Sequence, residues 1–156
     1  LAQVELADAA GLAAPKPALA SGNLMFEARR QPASALEKRL DAAFLSRHGK
    51  PVPIMVRSAE DWLKLAAQNP FPAESALDGS LVAVRVQRDR LGPEVVDLLA
   101  PYRQTDEGLA VVDGDLWVSF PVQMSTRPLL SALTPKRLGT GTLRNWNTVR
   151  RLAELL

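Results

Sequence analysis

The chain contains no cysteine and only one histidine, His48. The first absence removes disulfides, thiol nucleophiles and thiolate metal sites together. The second leaves a Ser-His-Asp triad only one imidazole to use and excludes metal sites that need two or three histidines. No apolar run approaches the roughly 20 residues that a bilayer-spanning helix requires. The first residues, which include Glu5 and Asp8, read as an amphipathic helix and not as a signal peptide. These absences point to a cytoplasmic protein with no membrane partner. The Walker lysine pattern and the full dinucleotide fingerprint are also missing. Ser21 lacks the Gly-x-Ser-x-Gly setting of a hydrolase nucleophile. The basic, aromatic-rich strand signature of RNA-binding sheets is absent too, since the candidate strands offer only Phe26, Trp117 and Phe120.

What is present suits a globular protein: 156 residues, 47% of them hydrophobic, enough for one large domain or two small packed ones. The net charge of +2 hides an asymmetry. From Arg127 onward, six basic residues (Arg127, Lys136, Arg137, Arg144, Arg150 and Arg151) face Glu154 alone, a local net of +5 that leaves −3 for the rest. A basic end of this kind suits an anionic partner or a solvated face.

Along the chain, Val4, Leu6, Ala9, Ala10 and Ala13 keep one face of a short opening helix apolar, with Gly11, Pro15 and Pro17 closing it. Two short strands between Pro17 and Glu27 flank Ser21-Gly22-Asn23, a natural tight turn. Ser34 is placed to cap a helix whose inner face is Leu36, Leu40, Ala43 and Phe44 and which ends near Gly49; a strand over Val52 to Val56 follows. Ser58 and Asp61 open another helix with Trp62, Leu65 and Ala66 inward, stopped by Asn69-Pro70-Phe71-Pro72. Ser80 to Gln87 has strand alternation, and a helix is expected from Pro93 to Tyr102. Asp113-Gly114 joins Leu109 to Val112 with Leu116 to Phe120 in the strongest hairpin signal of the chain. A helix near Pro128 to Leu138 precedes a last, basic amphipathic helix over Leu143 to Leu156, with Trp146 expected to be buried.

The expected fold is therefore α+β, with two tandem ferredoxin-like halves of the βαββαβ type and a C-terminal amphipathic helix; the first strand of the first half is absent. The expected divisions are 1–57 for the first half, 58–79 for a connecting helix and Pro-rich linker, 80–138 for the second half, and 139–156 for a Gly-Thr loop and terminal helix.

That last segment carries the clearest ligand hypothesis. Gly139-Thr140-Gly141-Thr142 runs into the helix with Thr142 as a natural N-cap, so free backbone N–H groups could converge on an anion while Arg144 adds a bidentate grip. The candidate ligand residues are Thr140, Thr142, Arg144, Asn145, Asn147 and Thr148. The alternative is a nucleic-acid surface made of Arg127, Lys136, Arg137, Arg150 and Arg151. An enzyme of unassigned reaction is the third class, and no catalytic residue is identified for it. Asp113 and Asp115 flank a hairpin glycine and His48 sits at a helix C-terminus; turn chemistry accounts for Asp113, solvent exposure for Asp115 and the helix dipole for His48, without a metal. No metal or cofactor is expected. An edge strand in either half would allow a homodimer.

The chain resembles the bacterial domain-of-unknown-function 1697 family over most of its length. The resemblance rests on Ser21-Gly22-Asn23 with Leu24-Met25-Phe26, on Asn69-Pro70-Phe71, and on Arg144-Asn145-Trp146-Asn147-Thr148-Val149 with the leucine-rich ending. It implies the two-part α+β architecture and a bacterial source, and it brings no activity or catalytic residues. Members open with a strand and an Arg-Gly-Ile-Asn type loop that this chain does not contain, which implies further residues upstream of Leu1. Where members carry an Arg-Ser-Lys type motif, this chain has Thr126-Arg127-Pro128.

Overall fold

The computed structural model describes residues 13–18, 23–27, 32–51, 54–122 and 126–156. The expected opening helix before Ala13, the Ser21-Gly22 turn and the start of the expected strand at Val52 lie outside them. The chain divides into two compact units, Leu1–Ser58 and Ala59–Leu156.

In the first unit, β1 (Ala13–Ala18) pairs antiparallel with β2 (Asn23–Glu27), with Lys16 opposite Met25 and Ala18 opposite Asn23. The hairpin is the expected one, but its first strand begins at Ala13 and carries both prolines, which were expected to close a helix. The next helix, α1 (Ala33–His48), follows Pro32; Ser34 falls inside its first turn and does not cap it. Leu36 and Leu40, one turn apart, are buried against Leu24, Phe26, Ile54 and Val56. Gly49 ends α1 at φ 71°, a left-handed C-cap open to glycine, and its N–H donates to the Leu45 carbonyl. Ile54 to Val56 pack on this cluster outside any strand. They are tied to α1 instead, where the Val56 N–H donates to Glu37 Oε2 at 3.2 Å.

The second unit opens with α2 (Ala59–Ala67) and α3 (Pro72–Leu77), so the helix and prolines expected as a connector belong to this unit. Asn69 organises the break between them: its Oδ1 accepts the Phe71 N–H at 2.8 Å and its Nδ2 donates to Ser75 Oγ at 2.7 Å. A 3₁₀ turn over Gly79–Leu81 leads into β3 (Val82–Gln87). Then come α4 (Val95–Leu99), a 3₁₀ turn at Ala100–Tyr102, β4 (Gly108–Val112) and β5 (Asp115–Ser119). The turn between β4 and β5 places Asp113 at φ 49° and Gly114 at φ 82°, the paired positive angles that the Asp-Gly signal required.

The single helix expected over Pro128 to Leu138 is two, α5 (Pro128–Ala132) and α6 (Pro135–Leu138). Pro135 forces the preceding Thr134 into extended backbone, which ends α5 and lets Thr134 cap α6. The chain finishes with β6 (Gly141–Asn145) and α7 (Trp146–Glu154). The second half of the expected Gly-Thr loop and the first three residues of the expected helix, Leu143 to Asn145, are thus a strand. Asn145, not Thr142, caps the terminal helix, its Oδ1 accepting from the Thr148 N–H at 3.0 Å.

The four strands form one antiparallel sheet in the order β4-β5-β3-β6. In sequence the elements run β3, α4, β4, β5, the α5–α6 pair, β6. The central strands β3 and β5 are buried throughout, whereas the edge strands β4 and β6 are half-buried. One face carries Ala83, Leu116, Val118 and Leu143 against Val95, Leu99, Leu129, Ala132 and Leu138, so α4, α5 and α6 cover it. Strand alternation sends Val82, Val84, Val86 and Trp117 to the other face. There Trp117 meets Trp146 at the start of α7, with ring centroids 6.2 Å apart. Helix α7 packs on α2, β3 and the Gly79–Leu81 turn, and Trp62 Nε1 donates to the Val149 carbonyl at 3.2 Å. Trp146 itself is half-buried, short of the full burial expected of it.

Candidate functional site

Strand β6 decides what the six candidate ligand residues do. Register puts Arg144 opposite Val84 and Thr142 opposite Val86, so both side chains lie on the Trp117 face. Arg144 Nη1 donates to Thr142 Oγ1 at 2.8 Å and to its neighbour's carbonyl at Leu143 at 2.9 Å. The side chain is half-buried, and burial pushes its guanidinium below the ordinary arginine value. Asn145 is occupied in capping α7, where its Oδ1 accepts the N–H of Thr148, another of the candidate residues. Asn147 is exposed beside Gly79, where a Cβ would stand 2.3 Å from its Oδ1.

Thr140 belongs elsewhere. Its N–H donates to Asp89 Oδ2 at 2.7 Å, and its carbonyl accepts from the Arg88 N–H at 2.8 Å. Behind it lies a polar group that periodicity did not single out. Arg85 and Gln87 share one face of β3; Arg85 Nη1 donates to Gln87 Oε1 and Nη2 to the Gly139 carbonyl at 3.1 Å. Gln87 Nε2 donates to the carbonyls of Asp89 and Leu138, both at 2.8 Å. Both glycines leave room for these side chains: a Cβ on Gly141 would stand 2.5 Å from Arg85 Nη1, and one on Gly139, where φ 76° itself favours glycine, 2.6 Å from Asp89 Oδ2. The available signal was a pair of polar residues two apart in a strand otherwise made of valine and alanine.

Most of the basic residues of the nucleic-acid alternative have partners within the chain. Arg127 Nη1 donates to Gln104 Oε1 and lies 3.5 Å from Asp106 and 3.7 Å from the buried Glu107. Arg137 sits 4.9 Å above the Tyr102 ring and donates to its hydroxyl at 3.0 Å. Arg150 and Arg151 both pair with Glu154, at 3.0 and 3.3 Å. Lys136 is exposed on α6. Among the described residues no cluster of acids and histidine could hold a metal ion. Asp113 pairs with Lys64 at 3.5 Å; Asp115 is buried, not exposed as expected, because its Oδ1 accepts the Gln87 N–H at 2.8 Å and it pairs with Arg90 at 3.1 Å, while His48 is exposed with its ring 5.7 Å from that of Phe44. No described helix is long and apolar enough to cross a membrane.

Comparison with known proteins places the chain without assigning it a reaction. No curated protein matches it. Its fold is similar to that of a solved structure described as the conserved bacterial protein SP0830 from Streptococcus pneumoniae. The TM-score is 0.68 at 18% identity, over 98% of this chain and 86% of that one. The family model described as protein of unknown function DUF1697 matches residues 2–117. That span holds the Ser21-Gly22-Asn23 and Asn69-Pro70-Phe71 motifs and stops before Arg144. Covering most of the chain, the match shows that this protein belongs to the domain-of-unknown-function 1697 family.

Proposed function

We propose that the protein binds a small anion, a phosphate or a carboxylate, against Arg144 on the Trp117 face of β6. One observation carries this reading: a half-buried guanidinium, held in direction by Thr142 Oγ1 and the Leu143 carbonyl, whose charge burial disfavours. An anion would offset that cost, and a planar fork on a rigid strand suits bidentate recognition. A thermal-shift series with phosphate, sugar phosphates, nucleotides and dicarboxylates tests it on the wild type and Arg144→Gln. Stabilisation that the substitution abolishes is expected; equal shifts in both proteins would remove Arg144 from the site. The nucleic-acid reading ranks lower because Arg127, Arg137, Arg150 and Arg151 are engaged within the chain.

We further infer that the two units are diverged copies of a ferredoxin-like plan, in a protein of the bacterial cytoplasm. The strand order β4-β5-β3-β6, with its βαββαβ succession, supports this for the second unit. The β1–β2 hairpin followed by α1 supports it for the first. A crystal structure in which the first unit's strands followed another order would refute the duplication.

A further inference from the structure

Arg85 is the most buried cation described in the molecule, 3% exposed at the middle of β3, and among the described residues its hydrogen bonds run to the neutral acceptors Gln87 Oε1 and the Gly139 carbonyl. Charges taken out of water are ordinarily matched by an opposite charge with complete hydrogen bonding. Burial lowers the affinity of Arg85 for its proton and the charge of Asp89 acts in the opposite sense, so Asp89 is the anion that Arg85 senses. Asp89 is itself exposed, in the loop just after β3. Its carboxylate lies on the Gly139-Thr140 peptide, where Oδ2 takes the Thr140 N–H at 2.7 Å.

The cradle under that carboxylate admits no side chain. Gly139 combines φ 76° with ψ −165°, a backbone region essentially confined to glycine, and a Cβ there would meet the Asp89 carboxylate. A backbone N–H at the surface, a glycine floor and a buried guanidinium behind the floor are the parts of an oxyanion seat.

We propose that Gly139-Thr140 is an anion seat filled by the chain's own Asp89, and that a free carboxylate or phosphate competes with Asp89 for it. The seat is independent of the Arg144 reading, because register places Arg85 and Arg144 on opposite faces of the sheet. A tethered competitor acts at an effective concentration in the millimolar range or above. Asp89 therefore makes the seat respond only to a concentrated or multiply anchored ligand.

The test uses the full chain, labelled with nitrogen-15, as wild type, Asp89→Ala and Asp89→Asn. Each is titrated with potassium phosphate and with sodium acetate against sodium chloride at matched ionic strength. In Asp89→Ala the Thr140 amide resonance is expected to move saturably with phosphate or acetate. Half-saturation should come at a concentration at least about tenfold below that in wild type. Asp89→Asn keeps a neutral acceptor in place and should respond between the two, and it serves alone if the alanine variant does not fold. Response to one anion only supports the seat and names its ligand class. Adding Arg144→Gln should leave the Thr140 response intact, so failure of the Arg144 site and failure of this seat are separate results. A Thr140 amide that moves no further in either Asp89 variant than in wild type, or moves equally with chloride, overturns the proposal.

Discussion

The two faces of the four-stranded sheet carry the same residue type on neighbouring strands with opposite outcomes. On the face covered by α4, α5 and α6, Arg85 is enclosed, and glycine at 141 leaves room for its Nη1 where a Cβ would crowd it. On the Trp117 face, Arg144 is half open and bonded to its own strand neighbours Thr142 and Leu143. Chemistry at an arginine therefore follows from what surrounds it and not from its place in a basic stretch. The enclosed guanidinium is bonded to the loop at Gly139, while the half-open one is bonded along its own strand and is the group on which the anion proposal rests.

Both faces are cores, and truncation on each should show it first. Trp117→Ala is expected to cost about 3–5 kcal/mol and Leu116→Ala about 2–5 kcal/mol, read as urea midpoints by circular dichroism. A cost under about 1 kcal/mol at Trp117 would mean that α7 does not seal its face. The arginines should then separate. Arg85→Met removes the donor to the Gly139 carbonyl and to Gln87 Oε1 and is expected to cost about 1–3 kcal/mol, the penalty of leaving one buried acceptor unmet. Arg144→Met should cost less than about 1 kcal/mol, as substitutions at open positions do. Equal losses would erase the distinction between the faces. Gly141→Ala tests the enclosure itself: its methyl would overlap Arg85 Nη1 and Gln87 Oε1, for about 1–3 kcal/mol. In the Arg85→Met background the same change should cost less, because the two positions share one space.

How much of this was legible in the sequence depended on whether the determining contacts were local. The Asp113-Gly114 turn needs only its own two residues, and it was found with the expected angles. Helix α1 was legible from Leu36 and Leu40, and its end from Gly49, though Pro32 displaced Ser34 at its start. Asn69-Pro70-Phe71 was seen as a stop and proved to be a side-chain-bonded turn. The terminal segment misled because Leu143, Trp146 and Val149 fit helical spacing, while the competing strand alternation, Thr142 and Arg144 against Leu143, spans only five residues. Pairing with β3 decided in favour of the strand. The enclosure of Arg85 could not be read from spacing at all: the carbonyl it bonds lies 54 residues away. Its local trace was the Gly-Thr-Gly run, taken as a ligand loop when its amide at Thr140 was already given to Asp89.

The smallest expected effect sharpens the comparison from the side of pH. The Gly79–Leu81 turn packs on α7, on the Arg144 side of the sheet, and Asp78 holds its start: Oδ1 accepts from Ser80 Oγ at 2.6 Å and from the Ser80 N–H at 3.0 Å. The Ser80 hydroxyl, and secondarily its N–H, hold the Asp78 carboxyl below its ordinary value of 3.8. A group whose pKa is depressed on folding contributes stability that is fully present above the unfolded value and is lost as pH falls through the folded one. The contribution of Asp78 should accordingly be complete at neutral pH and fade below pH 3.8. Urea midpoints for wild type and Asp78→Asn should therefore converge as the solution is acidified through that window. Ser80→Ala should show a shallower loss than wild type, because the larger of the two bonds has gone. A gap between wild type and Asp78→Asn that stayed constant across the acid range would show that the turn is held by its packing on α7, and the Arg144 side would then be no more acid-labile than the enclosed side.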